Sequence, residues 1–80
     1  MLVTVQLFAS LRELAGDSAQ IEVDEPVTVG RLVERFIELH PVLRGAERSL
    51  NVAVDQTYAR AEEPIGPGQE VAIFPPVSGG

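Results

Sequence analysis

Residues 2–8 have the alternating character of a strand. Val3, Val5 and Leu7 fall on one side of an extended backbone, and Leu2, Thr4, Gln6 and Phe8 fall on the other. This period of two is that of a strand with one buried face. The first set is the expected core face, which leaves Phe8 pointing away from it. Ser10 and Glu13 have the spacing of a capping box and Gly16 follows as a stop signal, so a short helix is expected from Ser10 to Ala15. Alternation returns over residues 20–24 and predicts a second strand, antiparallel to the first and ended by Pro26. The period then changes. Val29, Leu32, Val33, Phe36 and Ile37 follow at helical spacing, with Thr28 as N-cap and Arg31, Glu34, Arg35 and Glu38 on the wet side. Pro41 disfavours helix at His40, so this helix should end near Leu39. Residues 42–49 read as loop. Leu50, Val52 and Val54 mark the inward face of a third strand, 55–57 a turn, and 58–60 a short edge strand. Residues 64–68 are rich in turn formers, and 69–74 read as the last strand, with Val71 and Ile73 inward and Phe74 off the core face.

The order ββαβββ, with a minor helix in the first connection, predicts an α+β domain. A mixed sheet of four to five strands over one main helix, with first and last strands side by side, is the ubiquitin-like β-grasp arrangement. The expected organisation is a β-grasp domain over residues 1–74 and a flexible, extended C-terminal tail over 75–80. Eighty residues make one small domain. A chain of this size buries only about 60% of its unfolded surface, so one sheet and one good helix must share a single core.

Composition narrows the chemistry. The absence of cysteine removes disulfides, thiolate metal sites and cysteine nucleophiles. No segment reads as a signal peptide or membrane span, so a cytoplasmic protein is expected. The formal net charge is −6, with six arginines and no lysine. That balance argues against nucleic acid and suits a partner with a basic surface or pocket. His40, the single histidine, sits beside a helix-ending proline and reads as a cap. Ser10, Ser18, Ser49 and Ser78 have no histidine or lysine base close in sequence. The acidic pairs Asp24-Glu25 and Glu62-Glu63 read as solvated turns. Neither a zinc or calcium ligand pattern nor a phosphate-cradling glycine loop is present.

What remains is the end of the chain, Phe74-Pro75-Pro76-Val77-Ser78-Gly79-Gly80. Two prolines fix φ and remove two backbone donors, so no sheet continues through them. Two glycines make a tip without side chains, thin enough for a narrow channel. The reactive group on such a tip is the terminal carboxylate. If the first and last strands are parallel neighbours, Phe8 and Phe74 share an outer face at the root of the tail, and exposed aromatics of this kind mark protein interfaces. The competing expectation is that Leu11 and Leu14 cover them.

Two segments carry a resemblance. Leu7-Phe8-Ala9-Ser10-Leu11-Arg12-Glu13-Leu14-Ala15-Gly16 near the start, and Gly68-Gln69-Glu70-Val71-Ala72-Ile73-Phe74-Pro75-Pro76-Val77-Ser78-Gly79-Gly80 at the end, resemble the small, sulfur-carrying subunit of molybdopterin synthase. The likeness runs over essentially the whole length. One departure is Asp55, where that family often carries Asn. The resemblance implies a ubiquitin-like sulfur carrier without catalytic machinery of its own. A ubiquitin-activating-type partner would use ATP to adenylate Gly80, and sulfur transfer would make it a thiocarboxylate. The large synthase subunit would then admit the tail and pass its sulfur to a pterin precursor for molybdenum cofactor biosynthesis. Gly79 would give clearance, Pro75 and Pro76 would set the exit, and Phe8, Tyr58 and Phe74 would contact the partners. The chain itself would bind no metal or nucleotide. Three alternatives stay open: a carrier of another pathway such as the thiamine type, a protein modifier joined to target lysines, and an interaction domain with an idle tail.

Overall fold

The computed structural model describes residues 1–75. Pro76, Gly79 and Gly80 lie outside the described residues. Strand β1 (Leu2–Leu7) leads through helix α1 (Ser10–Ala15) into β2 (Ser18–Glu22). A two-residue strand, β3 (Val27–Thr28), enters the main helix α2 (Val29–Leu39), and a 3-10 turn follows over Pro41–Leu43. The chain then forms β4 (Asn51–Val54), β5 (Thr57–Ala59), β6 (Pro64–Ile65) and β7 (Val71–Phe74). Five strands make one mixed sheet in the order β2-β1-β7-β4-β5, and β3 pairs with β6 separately. β1 runs parallel to β7 and antiparallel to β2. The expected β-grasp arrangement is the one observed.

The core follows the two periodicities. Val3, Val5 and Leu7 from β1 and Val71 and Ile73 from β7 are buried against Val29, Leu32, Val33, Phe36 and Ile37 from α2. No polar side chain is buried among the described residues. Thr28 caps α2 as expected, its hydroxyl accepting from the Arg31 N–H at 3.2 Å. The other free amides at that end are met from the loop before β6: the Val29 N–H donates to the Glu63 carbonyl and the Gly30 N–H to the Ala61 carbonyl. Gly30 permits this approach, since a Cβ there would lie 3.2 Å from the Cβ and carbonyl oxygen of Ala61. His40 closes the helix, its N–H donating to the Phe36 and Ile37 carbonyls and its ring lying 5.0 Å from that of Phe36.

Several local expectations are corrected. Ser10 does not form a capping box: Ala9, at φ 52°, holds the N-cap position, and no side-chain cap bond forms. The chain must reverse immediately after Leu7 to drive Leu11 into the core, so the helix starts before a serine can stand outside it. β2 lies two residues earlier than expected because pairing with β1 begins at Gln6 and Ser18. β5 starts one residue early, at Thr57. Pro41–Leu43 is helical, whereas part of that stretch was expected as loop. β3 and β6 lie in segments without alternation, too short to show a period.

Candidate docking face

Leu7 pairs with Ile73 across the parallel β1/β7 ladder, and both are buried. The next residue on each strand line, Phe8 and Phe74, therefore turns to the opposite face. The two rings stack there, with centroids 4.6 Å apart and planes 15° from parallel. β4 and β5 extend the same face, because Ala53 pairs with both Ala72 and Tyr58. Tyr58 meets Phe74 edge-on at 6.0 Å, tilted by 69°. Ala53 and Ala72 are too small to fill the space between the rings. A shallow hollow of about 430 Å³ results, with Gln6, Gln56 and Glu70 among its other lining residues.

The rings are open to solvent. Tyr58 is 72% exposed, Phe8 41%, and Phe74 is half-buried between them. Helix α1 does not close the hollow over them: Leu11 is in the core and Leu14 is itself exposed. Three of the four aromatic residues of the chain thus sit on a water-facing surface while only Phe36 is in the core. That distribution suits recognition of another protein, where aromatic anchors dominate binding. Pro75 follows Phe74 directly, at the edge of this face.

The turn beside the hollow carries a set of bonds that the sequence reading missed. Asp55 (φ 50°) and Gln56 (φ 70°) both occupy the left-handed region, the pattern of a type I′ hairpin turn. One Asp55 carboxylate oxygen accepts from the Glu70 N–H at 3.0 Å and the other from the Gln69 side-chain amide at 3.0 Å. Gln69 in turn accepts from the Gly66 N–H at 2.7 Å. The Asp55 N–H donates to the Glu70 carbonyl. These bonds tie the β4–β5 turn to the entry of β7. The two donors, the backbone N–H of Glu70 first, hold the Asp55 carboxyl below its ordinary range. Asp at a turn position needing positive φ was the available signal; its bonds to residues 69 and 70 depend on the tertiary fold.

The other candidates have structural settings. His40 is a helix cap, Glu63 supplies a backbone carbonyl to α2, and no group of metal-ligating side chains occurs among the described residues. Nor is any described helix long and apolar enough to cross a membrane.

One main helix held against a mixed five-stranded sheet, with first and last strands parallel neighbours, defines a ubiquitin-like β-grasp protein. The chain belongs to the ThiS family, whose profile matches residues 5–80. The molybdopterin synthase sulfur carrier subunit of Chlamydomonas reinhardtii is 36% identical over 83 residues, covering 100% of both chains. Small archaeal modifier protein 1 of Haloferax volcanii is 37% identical over 84 residues, covering 94% of this chain and 97% of its own. Its crystal structure matches with a TM-score of 0.80 over 100% of both chains, at 33% identity. A Helicobacter pylori structure, a complex of subunits 1 and 2 of molybdopterin-converting factor, shares the fold over 100% of both chains, at a TM-score of 0.65 and 20% identity.

Proposed function

We propose that the chain is a sulfur carrier, the small subunit of a molybdopterin synthase. The observation that carries the reading is full-length similarity to sulfur carrier subunits in a chain whose exposed aromatic face lies at the root of a Pro-Pro…Gly-Gly end. A terminal carboxylate, with a pKa of about 3.3–3.7, is ionised at neutral pH and is a poor electrophile. Activation by a partner enzyme removes that obstacle. The Gly80 carboxylate oxygen attacks the α-phosphorus of ATP, pyrophosphate leaves, and an acyl-adenylate forms. Hydrosulfide released by a sulfur donor attacks the carbonyl carbon, the C–O bond to AMP breaks, and Gly80 becomes a thiocarboxylate. The sulfur then passes to a pterin precursor within the large subunit.

In this reading Gly80 carries the sulfur and Gly79 keeps the channel clear. Pro75 and Pro76 aim the tail, and Phe8, Tyr58 and Phe74 dock on the partners. The net charge of −6 favours a partner whose pocket is basic. The ATP belongs to the adenylating partner, and the carrier holds no cofactor or metal of its own. It works in the cytoplasm.

A second reading, a protein modifier joined to lysines, is favoured by the similarity to small archaeal modifier protein 1. Adducts on target lysines in cells, in place of a thiocarboxylate, would select it. The test of the carrier reading is to delete Gly80, or add one residue after it, and assay precursor conversion with the large subunit. Either change shifts the reacting carbon by about 3.5 Å, and ~1 Å of misplacement can cost about 100-fold in rate. Loss of conversion in a chain that still folds is expected. Conversion at the unmodified rate would overturn the mechanism.

A further inference from the structure

The hollow on the aromatic face is not apolar throughout. Its floor is Ala53 and Ala72, which pair across β4 and β7, and the three exposed rings wall it. Glu70 stands at the end away from Phe8 and Phe74. It lies four residues before Phe74 on the same strand line, roughly 13 Å at about 3.3 Å per residue. Val71 is buried, so alternation puts Glu70 on the outer face with Ala72 and Phe74. Gln6 flanks the hollow from β1, opposite Ala72, and Gln56 flanks it from the β4–β5 turn. No arginine lines it. The Glu70 carboxylate makes no ion pair among the described residues.

The backbone under that carboxylate is held before any partner arrives. The Glu70 N–H donates to the Asp55 carboxylate at 3.0 Å, and the Glu70 carbonyl accepts from the Asp55 N–H at 2.8 Å. A site preset in this way loses less conformational entropy on binding. The side chain itself is exposed to water.

A partner that fills the hollow strips water from Glu70. An apolar anchor would leave the carboxylate buried without a counter-charge, which is strongly unfavourable. A side chain with an apolar stem and a cationic head avoids that cost. Arginine meets the lining better than lysine does. Its planar guanidinium carries five donors, enough for both Glu70 oxygens and for the side-chain oxygens of Gln6 and Gln56. It is also less strongly hydrated than an ammonium, and its flat faces lie well against aromatic rings.

We infer that the hollow takes an arginine of the large synthase subunit, with its stem on Ala53 and Ala72 and its guanidinium on Glu70. The inference rests on the carrier reading and its aromatic docking face, and it makes Glu70 a determinant of which partner docks. A partner offering a carboxylate or a bare apolar side chain at this place is rejected.

Titration calorimetry with the matching large subunit compares wild type, Glu70→Gln and Phe74→Ala. Glu70→Gln keeps the side chain's shape and both backbone bonds to Asp55, so it should fold as wild type does by circular dichroism. It should bind at least about tenfold more weakly, as expected for loss of one member of a covered charge pair. Phenylglyoxal, applied to the large subunit with and without wild-type carrier and read by peptide mass, should find an arginine that the carrier protects. Changing that arginine to alanine should weaken wild-type binding by a similar factor and add little to the loss in Glu70→Gln. If Phe74→Ala weakens binding and a folded Glu70→Gln does not, the arginine inference falls and the docking face stands. If Phe74→Ala binds as wild type does, the docking face falls and the inference with it. Coupling of Glu70 to a lysine, with no protected arginine, would also overturn the inference.

Discussion

Truncating Phe74 to alanine separates docking from folding. The ring is half-buried, stacked on Phe8 at 4.6 Å and met edge-on by Tyr58 at 6.0 Å. Full burial of such a side chain contributes about 1.5–3 kcal/mol, and Phe74 realises only part of it. The two aromatic contacts add about 0.5–1.5 kcal/mol each. The hollow opens to solvent, so water replaces the ring and no closed cavity forms. At the low end of each range, appropriate to a ring open to water, the expected loss of stability is about 2 kcal/mol. An enclosed phenylalanine costs about 3–5 kcal/mol, which is the expectation for Phe36→Ala in the core. A domain of this size has on the order of 4–12 kcal/mol in hand, so Phe74→Ala should fold. Binding to the large subunit should suffer more: a central aromatic anchor is worth at least about 2 kcal/mol, or roughly 30-fold in Kd. Urea unfolding and titration calorimetry give the two numbers on one preparation. A stability loss equal to that of Phe36→Ala would mean that the ring is core. Unchanged affinity in a folded variant would mean that the aromatic face does not dock. Phe8→Ala should follow the same pattern with a smaller stability loss.

Two further outcomes concern the scaffold. Asp55 has a depressed folded-state pKa, so its contribution is present above the ordinary carboxylate value of about 3.9 and is lost as pH falls through the lower folded value. Asp55→Ala should therefore melt below wild type at pH 7, and thermal scans should show the gap closing as the pH drops below that range; a gap independent of pH would contradict the assignment. Thr28→Ala removes the N-cap acceptor of α2 and should cost about 1 kcal/mol in urea unfolding, whereas no change would show that the Glu63 and Ala61 carbonyls cap the helix unaided.

The sheet and the main helix were legible because each carries a long, clean period. Val3, Val5 and Leu7 alternate, and Val29, Leu32, Val33, Phe36 and Ile37 keep helical spacing, so their buried faces follow directly. The aromatic face was legible for the same reason, since Phe8 and Phe74 are out of phase with buried neighbours. Tyr58 came only from the family likeness, its strand being three residues long. The capping box at Ser10 failed because burial of Leu11 set where the helix begins. The Asp55 bonds and the β3/β6 pair join residues far apart in sequence, and no local pattern marks them.

The central claim is that Gly80 carries sulfur, and the most direct measurement is the intact mass of the chain. The carrier is incubated with ATP, the matching adenylating enzyme and a sulfur donor, then weighed, and its C-terminal peptide is fragmented. Exchange of one oxygen for one sulfur, located at Gly80 and dependent on ATP, is the predicted result. A mass unchanged in the presence of an enzyme that demonstrably consumes ATP on this chain would contradict the account.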